Sequence, residues 1–271
     1  MIKEIKRQIN KEKIFKREDF VLIYQMGKVG SSSIEKSLDT YQIPNYHIHT
    51  FDDYEEFKMY KNSADVAKFF DQPKRMGYRF LLNQRRKALA SRKHLKIITL
   101  VRDPVATVLS RFFQDLHIQF IEGKKNEAIH KDMEATYQHL VNAFEHNLNY
   151  HYFSDWFDEE MKRNFKINLL TQDINNQQGA FTYSTDSLDI LLIKCEQLSQ
   201  CEQELCDFLE LDEFVLTNSN EAKNKWYSEI YKDFKSKYDF SKLFFLYDLP
   251  LYKHFYSSNE IELLKTKWAN A

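Results

Sequence analysis

The chain has 271 residues, a formal net charge of −1, and a composition that is 43% hydrophobic and 15% aromatic. This length accommodates one large domain or two small ones, and the near-neutral balance excludes an overall field that would draw the protein to nucleic acid. Five glycines and four prolines favour helices with short loops over many strands and turns.

Residues 1–18 predict a leading basic helix, because lysines and arginines alternate there with Ile2, Ile5 and Ile9. Such a helix is either solvated or touches a membrane surface peripherally through residues 1–17. The N-terminus lacks an apolar signal core, and no apolar run approaches the roughly 20 residues that span a bilayer. We therefore expect no stable membrane insertion and a cytoplasmic location.

The three cysteines, Cys195, Cys201 and Cys206, lie close together. An odd number at these spacings provides neither a disulfide framework nor a metal site, so we interpret them as small core residues in a reducing compartment. The histidines likewise lack the spacing that places two ligands on one helix face, and no metal site is expected.

Residues 20–41 predict a strand, a tight turn and a helix. The apolar run that begins at Phe20 meets the turn Gly27-Lys28-Val29-Gly30-Ser31-Ser32-Ser33, and apolar residues at helical spacing follow. Glycines let backbone N–H groups approach a ligand, a helix N-terminus favours an anion, and Lys28 adds a positive charge. We interpret the stretch as a phosphate or sulfonate cradle; the alternative is a purely structural turn. It matches neither the Walker A motif nor Gly-x-Gly-x-x-Gly.

A short second strand is predicted at residues 46–49, which contain His47 and His49. Residues 85–87 and 92–94 form a basic, helical stretch, either a solvated helix face or a guide for an anionic ligand. Leu95–Val101 reads as a buried strand, after which Asp103 is a candidate N-cap and Pro104 a candidate first helical residue.

Residues 95–120 provide a second anion-binding element. Arg102 follows the buried strand, and Ser110 lies two helical turns further on, off the apolar stripe of the helix. A guanidinium and a hydroxyl placed in this way can converge on one phosphate. The alternative is a locally paired arginine and an ordinary helical serine.

The remaining pattern is mostly helical. Residues 128–163 predict a long aromatic helical region that forms core or lines an acceptor cleft, and residues 165–169 predict a third strand. Residues 171–186 suggest a loop or hairpin, 189–194 a last buried strand, and 211–271 a helical C-terminal part in which Trp226, Ile230 and Phe234 share a stripe. Alternating strands and helices indicate a single α/β domain over residues 1–271, with three layers around a central, mainly parallel sheet.

The cradle and the second element together resemble those of sulfotransferases that use 3′-phosphoadenosine-5′-phosphosulfate (PAPS). Residues 27–33 resemble the 5′-phosphosulfate loop of that superfamily, and Arg102-Asp103-Pro104 with Ser110 resembles its 3′-phosphate element. Residues 192–198 are similar to a later strand-end segment, with Cys195 and Gln197 departing from the usual residues. Residues 224–228, Asn-Lys-Trp-Tyr-Ser, resemble the signature of a bacterial family of capsular polysaccharide synthesis proteins, itself sulfotransferase-like.

The resemblance implies a P-loop-like sulfotransferase fold and transfer of a sulfuryl group to a hydroxyl or amine of a saccharide. Gly27, Lys28, Val29, Gly30, Ser31, Ser32 and Ser33 would hold the 5′-phosphosulfate, and Arg102 and Ser110 would bind the 3′-phosphate. Lys28 would also neutralise the leaving oxygen, and no metal would be needed. The partner is then a saccharide acceptor, such as a capsular or cell-surface glycan or its precursor.

The acceptor requires a base, for which we favour His49, with His47 second. Asp52, Asp53 and Glu55 remain possible, as do purely structural histidines. Two other functions stay open: a nucleotide-dependent phosphotransferase, and a non-catalytic glycan-binding or assembly protein.

Overall fold

The computed structural model describes residues 12–51, 74–116, 133–217 and 225–271. The chain divides into two units. The first consists of residues 1–53, 73–102 and 157–220, and the second of residues 54–72, 103–156 and 221–271. Most of the predicted leading helix and the candidate bases Asp52, Asp53 and Glu55 lie outside the described residues. The single-domain prediction stays a prediction.

The first unit contains a five-stranded sheet with the strand order β2-β1-β3-β5-β4. Its strands are β1 (Val21–Tyr24), β2 (Asn45–Ile48), β3 (Leu95–Val101), β4 (Ala180–Thr185) and β5 (Leu188–Lys194). Strands β2, β1, β3 and β5 are parallel, and β4 pairs antiparallel with β5. The predicted α/β class with a mainly parallel sheet is therefore confirmed, and residues 171–186 supply the first strand of a hairpin.

The central strands are buried along their length, which explains their continuous apolar runs. Every residue of β1 is buried, and the side chains of Ile97, Ile98, Leu100 and Val101 in β3 are inaccessible to solvent. Parallel strands covered on both faces by other elements need apolar residues on both sides. In β5, Ile190, Leu191 and Ile193 are equally buried. These three strands form the core of the first unit.

Helices complete the first unit. They are α1 (Ser31–Thr40), α2 (Lys74–Ala90) and, later in the chain, α6 (Glu202–Leu209). A π-helical segment, Phe157–Lys162, leads into the short helical turn Arg163–Phe165, and 3-10 turns occupy Leu169–Thr171 and Cys195–Gln200. The last three residues of the predicted cradle form the first turn of helix α1, which ends one residue before the predicted end of this stretch at Tyr41.

The predicted strand at residues 165–169 is wrong. Phe165 ends a helical turn, and Lys166 adopts a left-handed conformation with φ = 61° that reverses the direction of the chain. The side chain of Asn168 then accepts a hydrogen bond from the backbone N–H of Leu170 and caps a 3-10 turn. Ile167 and Leu169 are buried, so their alternation reflects core packing without a strand ladder.

The predicted basic patch is an exposed surface only in part: Lys87, Lys93 and His94 are exposed, but its arginines have partners within the protein. Arg85 is buried and pairs with Glu12, and Arg86 donates to the carbonyl oxygen of Phe51 at 3.0 Å. Arg92 lies 4.4 Å above the ring of Phe20. These arginines hold the chain segments before β1 and after β2, and thus serve as neither a solvated face nor an open guide for a ligand.

The second unit is helical in its described residues. It contains α3 (Pro104–Gln114), α4 (Met133–Asn147), α5 (Tyr152–Trp156), α7 (Ser228–Lys237), a 3-10 segment at Phe240–Asp248, α8 (Pro250–Phe255) and α9 (Ser258–Ala269). These last elements agree with the helical C-terminal part predicted at residues 211–271, and its final helix, α9, begins with a capping box between Ser257 and Glu260. Over the described part of the chain, no helix is long and apolar enough to cross a membrane.

The start of α3 is confirmed as predicted. Asp103 is the N-cap and accepts a hydrogen bond from the backbone N–H of Val105 at 3.1 Å, with proline at the first helical position. The buried carboxylate also accepts from the Tyr247 hydroxyl at 2.7 Å and from Trp268 Nε1 at 2.6 Å. One side chain thus joins α3 to the 3-10 segment and to α9 within the second unit.

An aromatic cluster forms the core of the second unit. Phe144 of α4 contacts Phe112, Phe234 and Tyr238 edge-on, with ring centroids 5.0 to 5.3 Å apart. Phe144 of the predicted aromatic helical region therefore packs in the core. Trp226 does not share the stripe of Ile230 and Phe234, because it precedes α7 and is 51% exposed.

Candidate active site

The predicted cradle is a strained loop between β1 and α1. Gly27 has φ = 86°, Lys28 has φ = 62° and Gly30 has φ = 94°. Glycine adopts this left-handed region at no steric cost, whereas for an L-residue such as Lys28 it costs about 1–2 kcal/mol. A left-handed lysine between two glycines is the kind of conformation that accumulates at ligand-binding loops.

Gly30 is required by its surroundings as well as by its backbone. A Cβ atom at this position would lie 2.7 Å from Cys195 Sγ, at the carboxyl end of β5. Any larger residue would displace the thiol or the loop. The cradle therefore packs directly against the strand-end segment at residues 192–198.

Helix α1 begins without a side-chain cap. Its N-cap residue is Gly30, which makes no side-chain cap hydrogen bond, and the first turn carries no acidic residue. The backbone N–H of Ser33 bonds to the carbonyl of Gly30 at 3.2 Å. Ser31 and Ser33 are buried, whereas Ser32 is exposed. A helix start without a carboxylate keeps its positive end available to an external anion.

Arg102 joins the cradle from the carboxyl end of β3. Its Nη1 donates to the carbonyl oxygen of Lys28 at 2.7 Å. The cationic side chain of Arg102 therefore lies at the loop that carries Lys28. Two positive side chains in the same part of the first unit suit a ligand with more than one negative charge.

Ser110 belongs to the second unit, where it is a half-buried residue of α3. The structure brings together Lys28, Ser31, His47, His49 and Arg102 within the first unit. The convergence of Arg102 and Ser110 on one phosphate stays a prediction.

Gln25 connects the cradle to both histidines. It directly follows β1 and is fully buried, and its Oε1 accepts a hydrogen bond from the backbone N–H of Gly27. That contact orients the amide, so Nε2 faces Ser31 Oγ at 2.7 Å, His47 Nε2 at 2.9 Å and His49 Nδ1 at 3.0 Å. One glutamine side chain thereby couples the backbone of the loop to the candidate bases.

The two histidines have different partners. His47 is a residue of β2, and its Nδ1 lies 2.7 Å from Glu35 Oε2 on α1, while its Nε2 lies 3.1 Å from Ser31 Oγ. His49 follows β2, and its Nδ1 lies 3.1 Å from the carbonyl oxygen of Gln25. The two rings meet edge-on with centroids 4.9 Å apart.

A buried carboxylate supports this edge of the sheet. Glu160, in the π-helical segment, is inaccessible to solvent and accepts hydrogen bonds from the Tyr24 hydroxyl, from Thr50 Oγ1 at 3.2 Å and from the Phe51 N–H at 3.1 Å. Arg163 balances its charge. Burial, and then the charge of Glu160, raises the pKa of Tyr24 well above its usual value. Glu160 therefore fixes the residues that flank Gln25 and His49.

Sequence reasoning missed Gln25, Glu35 and Glu160. Glu35 lies four residues after Ser31, so the sequence already places both residues on one face of α1, and this spacing could have marked Glu35 as a site residue. No nearby sequence pattern marks Gln25 or Glu160, because their partners come from other elements.

The predicted absence of a metal site stays a prediction; the search for groups of three or more histidine, cysteine or acidic side chains able to hold an ion found none among the described residues.

Comparison with known proteins relates part of the chain to a protein family. Residues 128–257 match the family described as "Putative capsular polysaccharide synthesis protein" (NKWYS). This confirms the resemblance to that family over this segment, which includes the Asn224–Ser228 signature. Among curated proteins and among solved structures, none matches the chain significantly. The wider resemblance to PAPS-dependent sulfotransferases stays a prediction.

Proposed function

We propose that this protein is a PAPS-dependent sulfotransferase that sulfates a saccharide during the synthesis of a capsular or cell-surface glycan. One observation carries the proposal: the strained loop after β1, which contains Lys28, leads into a helix without a side-chain cap, and Arg102 donates to the backbone carbonyl of Lys28 in that loop. The family match over residues 128–257 supports a role connected with capsular polysaccharide synthesis.

In the proposed reaction, the acceptor oxygen attacks sulfur in line with the bond to the 5′-phosphate. As that bond breaks, its electron pair moves to the phosphate oxygen, and negative charge builds up on adenosine 3′,5′-bisphosphate. A preorganised cation near the leaving oxygen stabilises this charge, which is the role we give to Lys28. The N–H groups and hydroxyls of residues 30–33 would hold the phosphosulfate, and Arg102 would bind the 3′-phosphate.

Ligand binding tests the donor assignment. We expect adenosine 3′,5′-bisphosphate to raise the thermal stability of the full chain more than AMP or ATP does. A ligand present at 100 times its dissociation constant adds about 2.7 kcal/mol of stability. Arg102→Ala should weaken this binding, whereas Lys36→Ala, which removes an exposed lysine from α1, is the matched control.

Three outcomes distinguish the functions. Preference for the 3′-phosphate, together with sulfuryl transfer that Lys28→Ala abolishes, supports the proposal. Preference for ATP in the presence of Mg²⁺ would favour the phosphotransferase. Absence of nucleotide binding, with glycan binding unaffected by Lys28→Ala, would favour the non-catalytic protein.

A further inference from the structure

We propose that Glu35 is a positioning residue that fixes the tautomer of His47, and that His47, oriented in this way, takes the proton of the acceptor. The assignment of a proton acceptor rests on the proposed function. The fixed tautomer does not, because it follows from the contacts of the first unit alone.

The contact between Glu35 and His47 determines which ring nitrogen carries the proton. The Glu35 carboxylate, which only accepts hydrogen bonds when ionised, lies 2.7 Å from His47 Nδ1. The two side chains are 28% and 12% exposed, so water screens the pair only in part. In a neutral His47, Nδ1 therefore donates to Glu35, and the lone pair of the ring lies on Nε2.

Proton counting around Gln25 gives the same arrangement. Because Gln25 Oε1 accepts from Gly27, the amide presents two N–H groups to three neighbours: Ser31 Oγ, His47 Nε2 and His49 Nδ1. The Ser31 hydroxyl has a proton of its own, and His47 Nε2 lies 3.1 Å away to receive it. Nε2 is thus the hydrogen-bond acceptor of the His47 ring.

His49 lies beside the same glutamine. Its Nδ1 is 3.1 Å from the Gln25 carbonyl oxygen and 3.0 Å from the Gln25 amide nitrogen. With the two amide N–H groups directed at Ser31 and His47, Nδ1 of His49 donates to the carbonyl oxygen. A base oriented by a carboxylate is the usual arrangement for activating a hydroxyl, and the contact with Glu35 gives His47 that arrangement.

The proposed step is balanced in protons and electrons. The acceptor hydroxyl replaces Ser31 as the donor to His47 Nε2 and gives up its proton as its oxygen bonds to sulfur. The bond between sulfur and the phosphate oxygen breaks, and its electron pair leaves with the bisphosphate. Glu35 stabilises the imidazolium that forms.

Nitrogen-15 NMR of the histidine-labelled full chain at about pH 8.5, where an ordinary histidine is neutral, tests the tautomer without activity. We expect His47 to show a protonated Nδ1 and an unprotonated Nε2. Glu35→Leu, which removes both acceptor oxygens, should redistribute the proton, and Asp39→Asn, which alters another acid on α1, should leave it in place. A wild-type His47 protonated on Nε2, or one unaffected by Glu35→Leu, would overturn the proposal.

Kinetics test the role of the pair. We expect His47→Asn to lower kcat by about 10²–10⁴-fold, the usual contribution of a general base, and His49→Asn to lower it far less. Glu35→Gln should lower kcat when it is introduced alone. It should have no further effect when it is added to His47→Asn, because the pair acts as a unit. The reverse ranking of the histidines would refute His47 as the base. Unchanged binding of adenosine 3′,5′-bisphosphate in these variants separates that failure from failure of the donor assignment.

Discussion

Replacing Glu160 with glutamine tests whether a buried carboxylate holds the edge of the sheet. The side chain is inaccessible to solvent and receives donors from the end of β1 and from the two residues that follow His49. Glutamine preserves the shape but removes the charge. Its NH₂ group would also face donors that now find an acceptor, and Arg163 would lose its counter-ion.

The structure gives the magnitude. Hydrogen bonds to charged groups contribute about 1.5–3 kcal/mol each, and breaking a buried ion pair typically costs about 3–5 kcal/mol. Because glutamine retains one acceptor oxygen, we expect Glu160→Gln to lower the free energy of unfolding by about 3–5 kcal/mol. That loss is a large share of the roughly 5–15 kcal/mol that stabilises a typical protein.

The neighbouring Glu159 provides a matched control. It lies in the same π-helical segment and faces the same Arg163, but the distance is 3.9 Å and its side chain is 48% exposed. Exposed pairs contribute about 0–1 kcal/mol, so Glu159→Gln should change little. Urea denaturation of both variants measures the difference. If Glu160→Gln lost no more than 1 kcal/mol beyond Glu159→Gln, the buried carboxylate would not support the fold as argued.

Three further predictions concern single residues. Asp103→Ala removes a helix cap and leaves two buried aromatic donors unsatisfied; we expect a loss of about 3–6 kcal/mol in urea denaturation, and a loss below 1 kcal/mol would contradict this. Because Cys195 Sγ lies against Gly30, adenosine 3′,5′-bisphosphate should slow alkylation of Cys195; equal rates with and without it would place the ligand elsewhere. Since the pKa of Tyr24 is raised, the unfolded state releases this proton first as the pH rises past about 10, and stability falls by up to about 1.4 kcal/mol per pH unit. Tyr24→Phe should lessen that fall between pH 8 and 11, and identical slopes would exclude this contribution.

The sheet and the helix starts could be predicted because their signals are local. The strand Leu95–Val101 needs apolar residues on both faces, so its burial can be predicted from its own residues without knowing which strands lie beside it. Asp103-Pro104 and Ser257 with Glu260 are capping patterns in which all the interacting residues stand within four positions. The same holds for the turn at residues 27–30, where two glycines mark the left-handed backbone.

The parts of the candidate site that could not be predicted depend on contacts far apart in the chain. Glu160 is buried because β1 and the segment after β2 both present donors to it, and no pattern near residue 160 encodes those partners. Gln25 reads as an ordinary polar residue after a strand until His47 and His49 are placed beside it. The wrong strand at residues 165–169 failed for a related reason: alternation records which side chains are buried, whereas Lys166 and Asn168 determine that the chain turns.

The topology of the sheet explains how the strained loop is held before any ligand arrives. Gln25 binds the N–H of Gly27 from the end of β1, Arg102 binds the carbonyl of Lys28 from the end of β3, and Cys195 packs against Gly30 from the end of β5. Parallel strands bring these three ends to one edge, so each secures a different part of the loop. Arg102 donates one of its five N–H groups to the loop, and its other N–H groups can donate to the predicted 3′-phosphate. Arg102→Ala should therefore impair both the shape of the cradle and the positive charge that attracts the donor. For this reason we expect it to weaken the binding of adenosine 3′,5′-bisphosphate by more than the loss of one phosphate contact would.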